Sequence, residues 1–452
     1  MRYIFGIFAF AFILTYTVLF LRILCKRDLL SLKLITIETI LQNLICIIVC
    51  SMFSSMLAQI ILLYKELIFY GTVVIYFIAN KKLSLRKDSV PLIIMIAICI
   101  PFFFIGSAPL YTKLVCFRQI MTPIILILYG RTYQLTENEI DDFVQLLIKI
   151  GILIVIFGFI EEFIVGDAFW LNLHIQKYMD MKGFSAWSWG GLPGNFYSAD
   201  LHTIFGMMRR MVSIMADPLL IGHYLSLCVV ILLFCPPKNL AVSYYLKLLL
   251  LTVGVVLTLS KGAILVIAIS YTYKLWRKNK LLSIACAFVG FVASLYMIKN
   301  NTLWSLAQHS GGLASSLGNI IGKGLGSAGN YSNLYGGNSD IAESYLGALL
   351  GQMGIIGVAA FVYAIVYYLV KIKSVKNKLS LAIFAYILGI LIEAIMSESS
   401  INFVGSGVAF IMLGVLSNET CTKYQKISKR NHILNWRTDV YEPLAKTDKI
   451  FY

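Results

Sequence analysis

The chain has 452 residues, of which 59% are hydrophobic and 13% are charged, and its formal net charge is +16. A soluble domain carries roughly 25% charged residues, so the composition excludes an ordinary soluble protein. Apolar runs near the length of a membrane span recur from end to end, which predicts an all-α, polytopic integral membrane protein. The runs are continuous rather than alternating, which excludes a transmembrane β-barrel.

The positive charge is concentrated in short clusters between the apolar runs. The clusters are Lys26/Arg27/Lys33, Lys81/Lys82/Arg86/Lys87, Lys274/Arg277/Lys278/Lys280, Lys371/Lys373/Lys376/Lys378 and the tail from Lys423 to Lys449. All of them fit on the cytoplasmic side at once, so we interpret them as topology signals and expect no binding of nucleic acid.

This arrangement predicts about thirteen spans, within a range of twelve to fourteen. They lie at about 3–25, 34–56, 60–80, 90–107, 110–129, 143–163, 214–234, 245–259, 261–275, 281–298, 344–369, 379–396 and 402–417. Residues 34–80 are hard to divide because Lys65-Glu66 interrupts a nearly continuous apolar stretch. The polytopic domain would cover residues 1–417, and residues 418–452 would form a basic cytoplasmic tail.

Two long segments, 161–213 and 299–343, then fall outside the cytoplasm. In the first, Phe169, Trp170, Leu173 and Ile175 alternate with polar residues, which predicts a helix lying on the membrane surface. Trp187 and Trp189 follow among glycines and serines. Such residues either hold a sugar or anchor the chain at the interface, and both alternatives remain open.

The second long segment is rich in Gly, Ser and Asn, which predicts an irregular loop. Its run GKGLGS, residues 322–327, is not a Walker motif because the GK[ST] ending is missing and no strand precedes it. Glycine turns with Lys323 reaching an anionic head group are still compatible with this run. The chain shows no nucleophile motif and no paired-histidine metal spacing, so we expect no metal and no cofactor.

Isolated charges recur on the predicted outer side, close to helix ends. They are Arg209, Arg210, Asp217, Lys261, Lys323 and Glu343. Each cation either pairs with a neighbouring carboxylate, snorkels to the interface, or meets an anionic ligand. Guanidinium groups bind diphosphate oxygens well, and a carboxylate can accept a proton from an attacking hydroxyl. Together these groups suit transfer of a group from a lipid diphosphate.

The order of these motifs resembles that of a known family. The stretch RRMVSIMADPLLIGHYL, residues 209–225, resembles the "R-x-x-S/G-x-F-x-[DEN]-P-x-x-x-G" stretch of polytopic O-antigen and capsular polysaccharide polymerases, the Wzy-type proteins, and of the related O-antigen ligases. LTLSKGAIL resembles their "LT-x-S-R-G/T-A", with Lys261 where arginine is common. GKGLGSAG followed by AESYLGALLGQMGIIG resembles their glycine loop and helix start. The similarity covers roughly residues 205–360.

The resemblance implies a polymerase that joins undecaprenyl-diphosphate-linked repeat units at the outer leaflet of the bacterial plasma membrane. It implies Arg210 and Glu343 as catalytic residues, and Arg209, Lys261, Lys323, Asp217, Trp187 and Trp189 as substrate-binding residues. Membrane lipids and a chain-length regulator protein are the further partners that it implies. Ligases carry a histidine where this chain has Glu343-Ser344, which favours the polymerase.

Two alternatives remain. One is a ligase that transfers finished glycan to an acceptor. The other is a flippase or transporter for the same lipid-linked sugars, which Arg118, Glu161 and Glu393, in or near spans, would suit.

Overall fold

A computed structural model describes residues 17–19, 21–53, 55–79, 89–183, 188–198, 208–237, 241–299, 315–318, 320–334, 343–373 and 377–418. The described residues are 79% helical and include almost no strands, which confirms the prediction of an all-α polytopic membrane protein. By length and composition, five helical stretches can cross a membrane: Leu29–Met52, Ser55–Ile75, Leu110–Arg131, Glu137–Val165 and Tyr345–Lys373.

The longer helices follow one another through the whole described chain. They are α1 (Leu29–Met52), α2 (Ser55–Ala79), α3 (Val90–Ile105), α4 (Leu110–Arg131), α5 (Glu137–Phe159, continued by a π-helical turn over Ile160–Val165), α8 (Pro218–Phe234), α9 (Val242–Leu257), α10 (Lys261–Lys278), α11 (Lys280–Lys299), α13 (Tyr345–Lys373), α14 (Lys378–Glu393) and α15 (Gly407–Leu416). Short helices are α6 (Ala168–Asn172), α7 (Ile175–Met181) and α12 (Asn330–Leu334).

Every predicted span after the first overlaps one of these helices. The first span lies mostly outside the described residues, as does the tail beyond residue 418. The ambiguous stretch 34–80 divides between Met52 and Ser55, so Lys65 lies inside α2 rather than at a break. Because the helices divide between Met52 and Ser55, Lys65 lies within the helix bundle, where a charged group usually has a partner or a function.

Helix starts follow from local capping chemistry. Thr136 and Glu139 form a reciprocal capping box at the start of α5. Ser260 accepts a hydrogen bond from Ala263 N at the start of α10, and Asn377 caps α14 in the same manner. Such caps satisfy the first backbone N–H groups of a helix and fix where it begins.

One end of the bundle collects cations and is called the basic end. Arg131 donates to the Ser417 carbonyl at 2.9 Å, and the Arg27 guanidinium lies over the Tyr129 and Tyr133 rings. Lys274 donates to the Leu233 carbonyl at 2.6 Å. The structure therefore places Arg27, Arg131 and Lys274 near helix ends, and Arg27 and Lys274 belong to the clusters interpreted as topology signals.

The opposite end, called the loop end, carries the long connecting segments. In the described part of residues 160–217, the short helix α7 packs beside α1 and α2. The predicted surface helix around Trp170 is wrong. Two short helices, α6 and α7, bury Trp170 and Ile175 completely in a second core that includes Cys46 and Phe196. The aromatic residues are covered by the protein because the segment folds back onto the bundle.

Two small antiparallel pairs complete this segment. β1 (Ser188–Trp189) pairs with β2 (Leu192–Pro193), and β3 (Tyr197–Ser198) pairs with β4 (Met208–Arg209). Tyr197 is opposite Arg209 in the second pair. This pairing fixes the direction in which the chain enters residue 210.

The last helix is too short to cross a bilayer alone. α15 has 10 residues, which is about 15 Å of helix against a hydrocarbon core of about 30 Å. Before it, residues 394–406 form an irregular segment, called the re-entrant segment. Gly405 packs against Leu220 and His223 of α8. Irregular backbone at this depth is tolerated where protein or a water-filled cavity covers it.

Candidate functional site

Arg210 is attached to the turn that connects α9 to α10. Its backbone N donates to the Phe196 carbonyl at 2.8 Å. Its Nε donates to the Thr258 carbonyl at 2.9 Å, and Nη2 donates to the Leu259 carbonyl at 3.5 Å. These backbone carbonyls orient the guanidinium by hydrogen bonds.

Lys261 is the first residue of α10 and follows this turn directly. Its side chain is exposed, and Ser260 caps the helix behind it. A helix N-terminus adds a partial positive charge to any cation placed there. The structure therefore brings Arg210 and Lys261, both predicted from the sequence, to one turn at the loop end.

Arg209 has a different environment from its neighbour. Its Nη2 forms an ion pair with Glu161 at 2.7 Å, and its Nε forms one with Asp167 at 2.9 Å. Trp170 donates to the same Glu161 carboxylate at 2.6 Å, and the Arg209 guanidinium lies 4.8 Å from the centre of the Phe196 ring. These contacts connect β4, through Arg209, to the turn that follows α5, which is a structural role.

Asp217 caps α8. Its carboxylate accepts hydrogen bonds from Leu219 N at 2.9 Å and from Leu220 N at 3.3 Å, and Pro218 occupies the first helical position. These bonds are those of a helix cap, and they explain the Asp-Pro pair without a ligand.

The C-terminus of α14 connects the turn of Lys261 with the turn of Glu343. A side chain at Gly262 would collide with the Glu393 carboxylate, so α10 must approach Glu393 closely. Ser344 Oγ donates to the Ile395 carbonyl at 2.6 Å. Gly262 and Ser344, the neighbours of Lys261 and Glu343, thus both contact residues 393–395.

Glu393 itself is buried and paired. It accepts a hydrogen bond from His223 Nε2 at 2.8 Å, and both side chains are at most 3% exposed. The pair links α8 to α14 directly beneath the Lys261 turn. The sequence marks Glu393 as a charge within a span but gives no sign of its histidine partner.

Backbone strain is concentrated around the same place. Among the described residues, five non-glycine residues have a positive φ, and four of them are Ser213 (38°), Ala216 (50°), Leu259 (47°) and Glu343 (64°). The fifth, His174, precedes α7. Such conformations cost of order 1–3 kcal/mol each and persist where the surrounding structure demands them, often at functional sites.

The glycine loop, residues 322–329, packs as an ordered turn between α3 and α13. Leu325 N donates to the Phe102 carbonyl at 2.8 Å, and Lys323 N donates to the Gly351 carbonyl at 2.9 Å. Gly324 has a φ of 97°, and a Cβ there would collide with the backbone of Gly106. The Lys323 side chain is exposed. The structure does not bring that side chain to the Arg210 turn by any described contact.

Sequence reasoning missed Glu398 in the re-entrant segment. This carboxylate is 6% exposed and accepts hydrogen bonds from Gln119 Nε2 at 3.1 Å and from Asn330 N at 2.6 Å. It therefore joins α4, the glycine loop and the re-entrant segment. The signal was the polar stretch SESSIN between two apolar runs.

The two predicted sugar-contact residues are not assessed by the structure. Trp187 lies outside the described residues, and for Trp189 only the backbone, in β1, is described. Comparison of the chain with family models and with curated proteins gave no match. The roles of the site residues are therefore argued from geometry and chemistry.

Proposed function

We propose that this chain is a membrane glycosyltransferase that polymerises oligosaccharide repeat units carried on undecaprenyl diphosphate, at the outer leaflet of a bacterial plasma membrane. One observation carries the proposal: the Arg210 guanidinium is hydrogen-bonded to the Thr258 carbonyl, three residues before Lys261. Two cations at the start of one helix are suited to the oxygens of a diphosphate.

The reaction follows from these placements. The anomeric carbon of the donor glycan forms a bond to the acceptor hydroxyl oxygen while its bond to the diphosphate oxygen breaks. Arg210 and Lys261 stabilise the charge that develops on the leaving lipid diphosphate. Glu343 accepts the proton of the attacking hydroxyl and later releases it to water. The products are a longer lipid-linked glycan and free undecaprenyl diphosphate.

Charge within the helices supports a transporter of lipid-linked sugars as the second candidate. Arg118 of α4 and Glu66 of α2 form an ion pair at 2.7 Å, and His223 pairs with Glu393. Both pairs lie inside helices, where charged groups often line transport paths. Glu161, the third charge that favours a transporter, is bound to Arg209.

The test is the lipid-linked glycan profile of a deletion strain complemented with variants. Arg210→Ala is expected to reduce long-chain glycan at least about 100-fold, because one oriented charge donor contributes about 10²–10³ in rate. Single lipid-linked repeat units should accumulate on the outer leaflet. The matched control is Arg277→Ala, an exposed arginine at the basic end of α10.

Three other glycan profiles would contradict either the proposed site or the proposed polymerase activity. Normal polymer length in the Arg210 variant would refute the site. Long lipid-linked polymer without transfer to an acceptor would indicate a ligase. Repeat units trapped on the inner leaflet would indicate a transporter.

A further inference from the structure

The buried pair of His223 and Glu393 holds a carboxylate in one orientation. His223 Nε2 lies 2.8 Å from one oxygen of the Glu393 carboxylate and 2.9 Å from the other, and both side chains are buried. A buried carboxylate that loses its hydrogen-bond donor bears the full cost of its desolvation. Rotation of the Glu393 side chain away from His223 is therefore unfavourable, and the carboxylate stays where the imidazole holds it.

Two glycines bring neighbouring helices into close contact at this pair. A Cβ on Gly262 of α10 would overlap the Glu393 carboxylate. A Cβ on Gly222, which precedes His223 in α8, would lie 2.7 Å from the Cβ of Ser260. Carbon atoms in contact are separated by about 3.5–4.0 Å, so neither position has room for a methyl group. The first turn of α10 thus lies directly against the buried pair.

This first turn of α10 carries the proposed diphosphate ligands. Lys261 is its first residue, and Gly262 follows. The turn before it supplies the Thr258 carbonyl that accepts from Arg210 Nε at 2.9 Å. A displacement of the Glu393 carboxylate would therefore move the backbone from which Lys261 extends.

The same end of α14 holds the turn of the proposed base. The Ala394 carbonyl accepts from Leu346 N at 3.0 Å, and the Ile395 carbonyl accepts from Ser344 Oγ at 2.6 Å. Glu343, which has a φ of 64°, directly precedes Ser344. Residues 393–395 thus contact the first turn of α10 with one side chain and the first turn of α13 with two carbonyls.

We propose that Glu393 is a positioning residue, whose carboxylate, held by His223, supports the first turn of α10 and so sets the place of Lys261 relative to Glu343. This inference rests on the proposed function, in which Lys261 stabilises the leaving diphosphate and Glu343 accepts the proton of the acceptor hydroxyl. Glu393 does not contact the substrate in this scheme and acts only through α10. Such support matters because a misplacement of about 1 Å can cost about 10²-fold in rate.

The experiment combines two substitutions in the purified full chain. The methyl group of Gly262→Ala overlaps a carboxylate that His223 prevents from turning away, so the first turn of α10 must shift. Polymerisation of lipid-linked repeat units should fall about 100-fold. Glu393→Asp withdraws the carboxylate by one methylene and should raise the rate of the Gly262→Ala chain about tenfold. In the wild-type background, Glu393→Asp should instead lower the rate, because the support at Gly262 is lost.

Gly254→Ala is the matched control. Gly254 lies in α9, and a Cβ there would overlap the Val155 side chain of α5. This variant introduces the same methyl group into an equally close helix contact away from Glu393. Glu393→Asp should not recover the Gly254→Ala chain, because losses at independent sites add. Thermal unfolding of each variant identifies the chains that fold.

A binding measurement follows Lys261 without requiring turnover. Radiolabelled undecaprenyl diphosphate should bind Gly262→Ala about 10- to 100-fold more weakly than the wild type, and Glu393→Asp should restore part of that affinity. Ser344→Ala releases the turn of Glu343 from the Ile395 carbonyl. It should slow polymerisation while it leaves the affinity for undecaprenyl diphosphate unchanged.

Variants of His223 test the same role without adding atoms. His223→Leu removes the donor to Glu393 and should weaken binding of undecaprenyl diphosphate about tenfold, whereas His223→Gln keeps an N–H donor and should retain most of the affinity. These two variants carry the test where Gly262→Ala does not fold.

The outcomes separate this inference from the proposed function. A double variant no better than a folded Gly262→Ala chain, or a folded His223→Leu chain with the affinity and rate of the wild type, would overturn the positioning role. A wild-type chain that does not polymerise repeat units would reject the proposed function, and the binding measurements would then decide the role of Glu393.

Discussion

The region around Arg209 and the region around Arg210 are adjacent in sequence but differ in their partners. Arg209 is bonded to two carboxylates, one of them 1% exposed, whereas Arg210 is oriented by the carbonyls of Thr258 and Leu259. The ion pairs of Arg209 hold β4 against the end of α5. The second presents a guanidinium beside Lys261. The difference gives Arg209 a structural role, whereas ligand binding is the role that we propose for Arg210.

The largest expected effect comes from removing the structural member of the pair. Arg209→Met leaves the Glu161 carboxylate buried without its cation, which costs about 3–5 kcal/mol in the free energy of unfolding. The measurement is denaturant or thermal unfolding of the purified chain, followed by tryptophan fluorescence. Trp170, which donates to Glu161, is a natural reporter of this loss.

Arg210→Met is the matched control for this prediction. It removes hydrogen bonds to backbone carbonyls, each of about 0.5–1.5 kcal/mol, so the unfolding free energy should change much less. The double variant Arg209→Met with Glu161→Gln should recover part of the stability, because the buried charge is gone. Equal destabilisation by the two arginine variants would show that Arg209 and Arg210 contribute equally to stability.

The same contrast applies to two carboxylates near α14. Glu398 is bonded to Gln119 and Asn330, whereas Glu343 lies half-buried at a strained turn. Glu398→Ala removes the acceptor for the Asn330 N–H and is expected to cost about 1–3 kcal/mol. Amide hydrogen exchange at Asn330 should become faster in this variant.

Glu343→Ala provides the comparison for the glycine loop. It should leave exchange at Asn330 unchanged while it impairs glycan polymerisation. Faster exchange at Asn330 in the Glu343 variant, or slow exchange in the Glu398 variant, would show that Glu398 does not hold the glycine loop.

The sequence predicts much of the fold because a span is a local property. A window of about 20 apolar residues is sufficient to place it. The stretch 402–417 illustrates the limit. Its composition predicts a span over the whole stretch. In the structure, Asn402 Oδ1 accepts hydrogen bonds from Gly405 N and Ser406 N, and the helix begins only at Gly407. This turn at Asn402 therefore places residues 402–406 of the predicted span in the re-entrant segment.

The site was predicted only in part because its partners are distant in sequence. Motif order predicted Arg210, Lys261 and Glu343. The structure brings Arg210 to the turn before Lys261, and it brings Gly262 and Ser344 to the end of α14. The different role of Arg209 depends on Glu161, 48 residues away.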